Sequence, residues 1–168
     1  MKDVLAKTGR EIPLAHTASN HCFGCGAANK TGLRLKFFTD ESGRILSRVK
    51  IPKRFEGPPG HMHGGAIATL MDEAMSKANR ARGVTAMTRH MEVEYLRPVP
   101  LGVPLLLEGR HTRADGRKHF CEAELMNAEG RVLAKAKGMF VAIDPAILSR
   151  AQTSGDGLQQ KHAKAEAP

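Results

Sequence analysis

Between Glu56 and Glu73 the chain changes its rule of construction, and that change limits what it can fold into. Pro58, Pro59 and Gly60 force a non-helical approach, after which His63, Gly64 and Gly65 open a segment with apolar residues at Ile67, Leu70, Met71, Ala74, Met75 and Ala78. That spacing puts them on one helix face. A helix is predicted from about Gly64 to about Ala81, stopped by Gly83, with Glu73, Ser76, Lys77 and Arg80 on its wet side. A helix start leaves backbone N–H groups without internal partners, and glycines there let a ligand oxygen approach without meeting a Cβ. Asp72, nine residues beyond His63, falls at the edge of the apolar stripe, a poor position for a carboxylate present only to be solvated.

On either side of this helix the period is two. Leu33, Leu35 and Phe37 alternate with Arg34, Lys36 and Phe38, then the cluster Asp40 to Gly43 turns the chain into a second strand, Ile45 to Ile51. After the helix, strands are predicted at about 85–97, 104–113, 117–127 and 131–143, with hairpin turns at Asp115-Gly116 and Glu129-Gly130. Two strands, one long helix and four strands predict an α+β fold, an antiparallel sheet with a single helix on one face. Residues 1–20 show no sustained period and read as an irregular arm, and residues 145–168 are too poor in large apolar residues to offset their ordering entropy and read as a disordered tail. The folded domain is then 21–144.

Composition narrows the function classes. The chain has 168 residues, 41% of them hydrophobic, which is enough for one core without cross-links. With no Trp and one Tyr it has no stacking platform for single-stranded nucleic acid. Its formal charge is +9, and residues 32–144 hold 19 Lys and Arg against 13 Asp and Glu, so basic tails alone do not explain it. The basic residues are scattered, which disfavours nucleic acid and suits a phosphorylated small molecule. No apolar run approaches the roughly 20 residues a membrane span needs.

Three cysteines, Cys22, Cys25 and Cys121, make an odd count with no secretory apolar region before them, so a disulfide framework is not expected and a reducing cytoplasm is. The Cys22-Phe23-Gly24-Cys25 spacing, with His21 beside it and His16 nearby, suits zinc or redox chemistry, or a tight turn before the first strand. No second pair follows at ligand spacing, so the turn is the expectation and no metal is expected.

The run Glu56 to Asp72, followed by Ala86-Met87-Thr88 and by Glu94 to Leu101, resembles the hotdog-fold acyl-CoA thioesterases of the thioesterase superfamily, with closest similarity to the phenylacetyl-CoA and long-chain acyl-CoA branch. The resemblance covers roughly residues 22–143. It implies an antiparallel sheet wrapped around one central helix, a homodimer with possible pairing of dimers, sites built between subunits, an acyl-CoA substrate and no separate cofactor. Through it, Asp72 is expected as catalytic carboxylate, either general base or nucleophile, Gly64 as the N–H donor to the oxyanion, Thr88 as the hydroxyl that holds water, and His63 as an orienting residue. Gly65, His61, Glu94, Leu96, Arg117 and Lys118 are expected to contact substrate, the last two as cations for coenzyme A phosphates. Some family members place an Asn oxyanion donor six residues before the His; here that position is Gly57, which puts one donor in doubt and leaves His61 as a replacement.

Two alternatives remain open. A hydroxyacyl dehydratase would need a His base and a His-Phe-Pro opening, and Phe55 here is preceded by Arg54. A non-catalytic acyl-CoA-binding protein of the same fold would have no need of Asp72.

Overall fold

The structure is a computed structural model that describes residues 5, 9–15 and 18–146. The predicted tail from 147 onward, and His16, lie outside the described residues. The elements are β1 (Ile12–Pro13), β2 (Phe38–Thr39), β3 (Ile45–Lys50), a 3₁₀ turn (Lys53–Phe55), α1 (Gly64–Arg80), β4 (Ala86–Tyr95), β5 (Pro104–Asp115), β6 (Lys118–Asn127) and β7 (Val132–Ala142). They build one antiparallel sheet in the order β1-β2-β3-β5-β6-β7-β4.

The predicted apolar stripe meets the sheet. Ile67, Leu70, Met71, Ala74, Met75 and Ala78 are buried together with Phe37, Ile45, Leu105, Leu107, Leu125 and Phe140. Contact is closest where α1 crosses β5, because a Cβ at Gly109 would lie 2.6 Å from the Ala74 carbonyl oxygen. Side chains of the opposite parity form a charged outer face, on which Arg110 pairs with Glu122 at 2.6 Å and Lys135 with Glu94 at 3.2 Å.

Three expectations are corrected. Within the N-terminal arm, Ile12 and Pro13 pair with Thr39 and Phe38, and the Arg48 guanidinium holds Glu11 at 2.7 Å. The alternation from Leu33 to Phe37 gives the right burial but no ladder, because Arg34 adopts a positive φ of 54° that breaks the extended run. The Leu33 and Leu35 N–H groups bond instead to the carbonyls of Phe23 and Gly24. The expected wet side of the helix is largely covered, since the turn from Cys22 to Gly26 lies against it. Lys77 is only 7% exposed, Glu73 and Ser76 are half-buried, and of these four residues Arg80 alone is exposed.

Strand β4 is the edge of the sheet next to β7, and its run contains no proline. Met87, Tyr95 and, just beyond, Leu96 are exposed apolar residues at this edge. A long unprotected edge bearing apolar side chains is a template for pairing. Among the described residues no helix is long and apolar enough to cross a membrane.

Candidate active site

The turn before α1 is built by hydrogen bonds that fix where the helix starts. Glu56 Oε1 accepts the Gly60 N–H at 2.7 Å, His61 Nδ1 lies 2.9 Å from the Pro59 carbonyl oxygen, and the Met62 N–H donates to Val99 at 2.8 Å. His63 is the N-cap, and its Nδ1 accepts the Gly65 N–H at 3.0 Å. An accepting Nδ1 places the proton of the neutral ring on Nε2. The Gly65 N–H is therefore engaged within the chain. The Gly64 N–H has no partner among the described residues, as the first turn of a helix allows. Gly57 cannot stand in for the missing family Asn, because any Cβ there would lie 2.8 Å from His63 Cα.

Tyr95 is a site residue that the sequence reading missed. Its hydroxyl donates to the Gly64 carbonyl at 3.1 Å, so the end of β4 is tied to the start of α1. The usable signal was that it is the chain's one tyrosine, inside the motif that follows Thr88. Beside it, His61, Ile67, Leu96, Pro98 and Val99 line a groove of about 420 Å³.

The second group of residues lies farther along the helix. Thr88 Oγ1 donates to Asp72 Oδ1 at 2.6 Å. Burial raises the Asp72 pKa above its ordinary 3.8, the Thr88 hydroxyl opposes the rise, and the neighbouring Glu73 charge adds to it. The contact depends on a bulge. The register steps from Thr88 opposite Phe140 to His90 opposite Met139, so Arg89 is an extra residue. By simple alternation Thr88 would share the outer face with Glu92 and Glu94; the inserted residue turns it toward the helix.

Lys118 begins β6 opposite Val141, which also faces Met87, so it stands at the Thr88 end of the sheet. Arg117 Nε and Nη2 donate to the Ala142 carbonyl at 3.1 and 3.0 Å. Glu94 does not join either group, since its carboxylate pairs with Lys135 on the outer face. Leu96 joins the groove beside Gly64.

The residues thus fall into two clusters in one chain. Gly64 and Asp72 are eight residues apart on one helix, a rise of about 12 Å, so both cannot address the same carbonyl. Among the described residues one further group has metal-ligating types, Cys22, Cys25 and Glu73, whose donor atoms lie within 4.8 Å of one another.

One long helix packed across an antiparallel sheet, with a carboxylate and a hydroxyl meeting beside an edge strand, defines the chain as a hotdog-fold protein. More narrowly, the model of the thioesterase superfamily matches residues 59–134 of the chain. Mouse (Mus musculus) acyl-coenzyme A thioesterase THEM4 is 29% identical over 110 residues, 65% of this chain and 47% of that protein. The cattle (Bos taurus) protein of the same name is 32% identical over 91 residues, covering 54% and 37%. The chain spans half or less of the length of these curated relatives. A crystal structure described as a thioesterase superfamily protein is 33% identical with a TM-score of 0.70, covering 73% of this chain and 60% of that one. The smu.793 protein of Streptococcus mutans UA159, bound to acetyl CoA, is 23% identical with a TM-score of 0.61, covering 65% and 88%, and shares the fold.

Proposed function

We propose that the protein is an acyl-CoA thioesterase that works as a homodimer in the cytoplasm. Water cleaves the thioester, giving free CoA and a carboxylic acid. The observation that supports this best is the Asp72–Thr88 contact, a half-buried carboxylate of raised pKa held by a hydroxyl beside an open edge. A raised pKa makes a better proton acceptor near neutral pH. Asp72 takes a proton from water that Thr88 also holds, or attacks the carbonyl itself to give a mixed anhydride. The Gly64 N–H, at the positive end of the helix dipole, receives the oxyanion. His63 orients that turn, Lys118 offers a cation to coenzyme A phosphates, and the apolar groove beside Gly64 takes the acyl chain.

The separation of the two clusters supports the dimer. Helix α1 starts beside Tyr95 at one end of β4, and Asp72 meets Thr88 at the other. Antiparallel pairing of two β4 edges across a two-fold axis brings the Tyr95 end of one copy to the Thr88 end of the other. Each shared site then contains Gly64 from one subunit and Asp72 from its partner. Solved structures of a Streptococcus pneumoniae TIGR4 protein described as a hypothetical thioesterase include variants with an aspartate and a threonine replaced by alanine, and these lie 16 positions apart, as Asp72 and Thr88 do here.

Release of free thiol from aromatic, short-chain and long-chain acyl-CoAs, by the wild type and by Asp72→Asn, tests the reading. Turnover that the variant loses supports it. Tight acyl-CoA binding without turnover would replace it with a non-catalytic binding protein.

A further inference from the structure

The Cys22–Gly26 turn is built onto the helix rather than merely leading into the sheet. The Gly26 N–H donates to the Cys22 carbonyl at 2.8 Å, and Asn20 Oδ1 accepts the Cys22 N–H at 2.9 Å. Gly24 lies so close to Glu73 that a Cβ would come within 2.2 Å of its Cγ. The two thiols therefore meet two charged helix residues. The Cys22 thiol donates to Glu73 Oε1 at 3.0 Å, and the Lys77 ammonium donates to Cys25 Sγ at 3.0 Å. Glu73 and Lys77 also pair at 3.4 Å, while Glu73 Oε2 is buried without a hydrogen bond. The cysteines differ in access, Cys22 being half-exposed and Cys25 4% exposed.

Three donors within 4.8 Å invite a metal, but the Lys77 ammonium decides against one. It touches Cys25 and Glu73 together, already balances the carboxylate, and would repel a second cation. Thiol chemistry fits the same atoms better. We propose that Cys22 and Cys25 form a redox site that closes to an intramolecular disulfide by exchange with a low-molecular-weight disulfide of the glutathione type, Cys22 attacking and Cys25 resolving.

The steps balance. Glu73 accepts the Cys22 proton, and the Cys22 thiolate attacks one glutathione sulfur, so that a mixed disulfide forms and one glutathione leaves as thiolate. Cys25 then loses its proton, its thiolate held by Lys77, and attacks the Cys22 sulfur; the mixed bond breaks and the second glutathione leaves. Two thiols and one disulfide become one disulfide and two thiols, and the two protons end on the two glutathiones. The asymmetry suits this order. Burial pushes the Cys25 thiol up to about 12 against the pull of Lys77, so Cys25 stays protonated until Cys22 has been captured. Cytosolic disulfides of this kind are transient and redox-sensing rather than structural. Closure removes the Cys22 donor from Glu73, the residue next to Asp72, which links the redox state to the proposed catalytic carboxylate. The redox site itself stands without that activity.

The test equilibrates the full chain with mixtures of oxidised and reduced glutathione, quenches with acid, and maps the products by mass spectrometry. The expected result is a Cys22–Cys25 disulfide, lighter by two hydrogens, that forms reversibly while Cys121 stays a free thiol. Cys25→Ser should instead stop at a stable Cys22–glutathione adduct, and Lys77→Met should slow closure about tenfold without preventing the adduct. If Cys25→Ser does not fold, the wild-type map decides alone. A folded wild type that accumulates the Cys22 adduct without closing, or that reacts only after unfolding, would overturn the proposal. So would stoichiometric Co²⁺ binding by the reduced chain with thiolate charge-transfer absorption, which would make the cluster a metal site. The readout is thiol chemistry, so absence of acyl-CoA turnover leaves this result untouched.

Discussion

Thr88 Oγ1 lies 2.6 Å from Asp72 Oδ1 and joins the central helix to the edge strand at the point where a bulge reverses the strand's alternation. The hydroxyl donates, so it stabilises the ionised carboxylate against the burial that raises its pKa. The pair is thus balanced between two opposed effects, and changes to either residue have signs that can be worked out.

Asp72→Asn keeps the shape and the Thr88 contact but cannot accept a proton. We expect kcat to fall at least about 10²-fold with the fold intact. Stability carries an independent sign. The folded-state pKa of Asp72 lies above the unfolded one, so the associated stability is complete below the unfolded value and lost as pH rises through the folded value. At neutral pH the ionised carboxylate costs stability, and Asn removes that cost. A thermal melt at pH 7 should show an unchanged or higher Tm for the variant.

The acid limb of the kcat/KM profile should lie above 3.8, the ordinary value for this carboxyl group. Thr88→Val removes the one hydroxyl that lowers it, so the limb should move to higher pH while the maximum rate falls. A limb that stays in place in the valine variant would show that it reports some other group.

Gly64→Pro removes a single N–H. His63 has φ −63° and ψ 137°, the extended conformation that a following proline requires, and the first helical position tolerates proline well. A Cβ at Gly64 would also make ordinary van der Waals contact, its nearest atoms being those of Tyr95 at 3.7–3.8 Å. We expect normal helix content by circular dichroism and a rate loss of about 10²–10³-fold, as for loss of other oxyanion donors.

Mixing the two inactive variants tests where the site is assembled. Subunits of Asp72→Asn and Gly64→Pro, unfolded together and refolded, should regain roughly a quarter of wild-type turnover, because random pairing gives half heterodimers, each with one intact site. Mixed variants that remain inactive would place Gly64 and Asp72 in separate sites.

Tyr95→Phe deletes the hydroxyl that bonds the Gly64 carbonyl. The ring contact stays, so the expected stability loss is only about 0.5–1.5 kcal/mol by denaturant titration. A larger effect on kcat than on KM would show that the bond serves to position the helix start.

Much of the fold was legible in the sequence because burial is periodic. The 3.6-residue stripe from Ile67 to Ala78 located the helix, the Pro58 to Gly60 approach and Gly83 marked its limits, and alternation with Gly116 and Gly130 located the long hairpins. Local chemistry singled out as candidates Gly64, a glycine opening a helix, and Asp72, a carboxylate at the edge of an apolar stripe, and the resemblance alone supplied their expected roles. What periodicity could not supply was anything set by contacts between distant segments. The Cys22–Gly26 turn buries Lys77, a residue the helical wheel assigned to solvent, because 52 residues separate it from the Cys25 sulfur it touches. The Gly65 N–H is taken by the ring of His63, a matter of side-chain conformation. Most plainly, strict alternation sends Thr88 and Glu94 to the same face of β4. One extra residue, Arg89, separates them, turning Thr88 toward Asp72 and leaving Glu94 with Lys135 outside. A bulge is a choice of pairing between two strands, and only the folded sheet makes it.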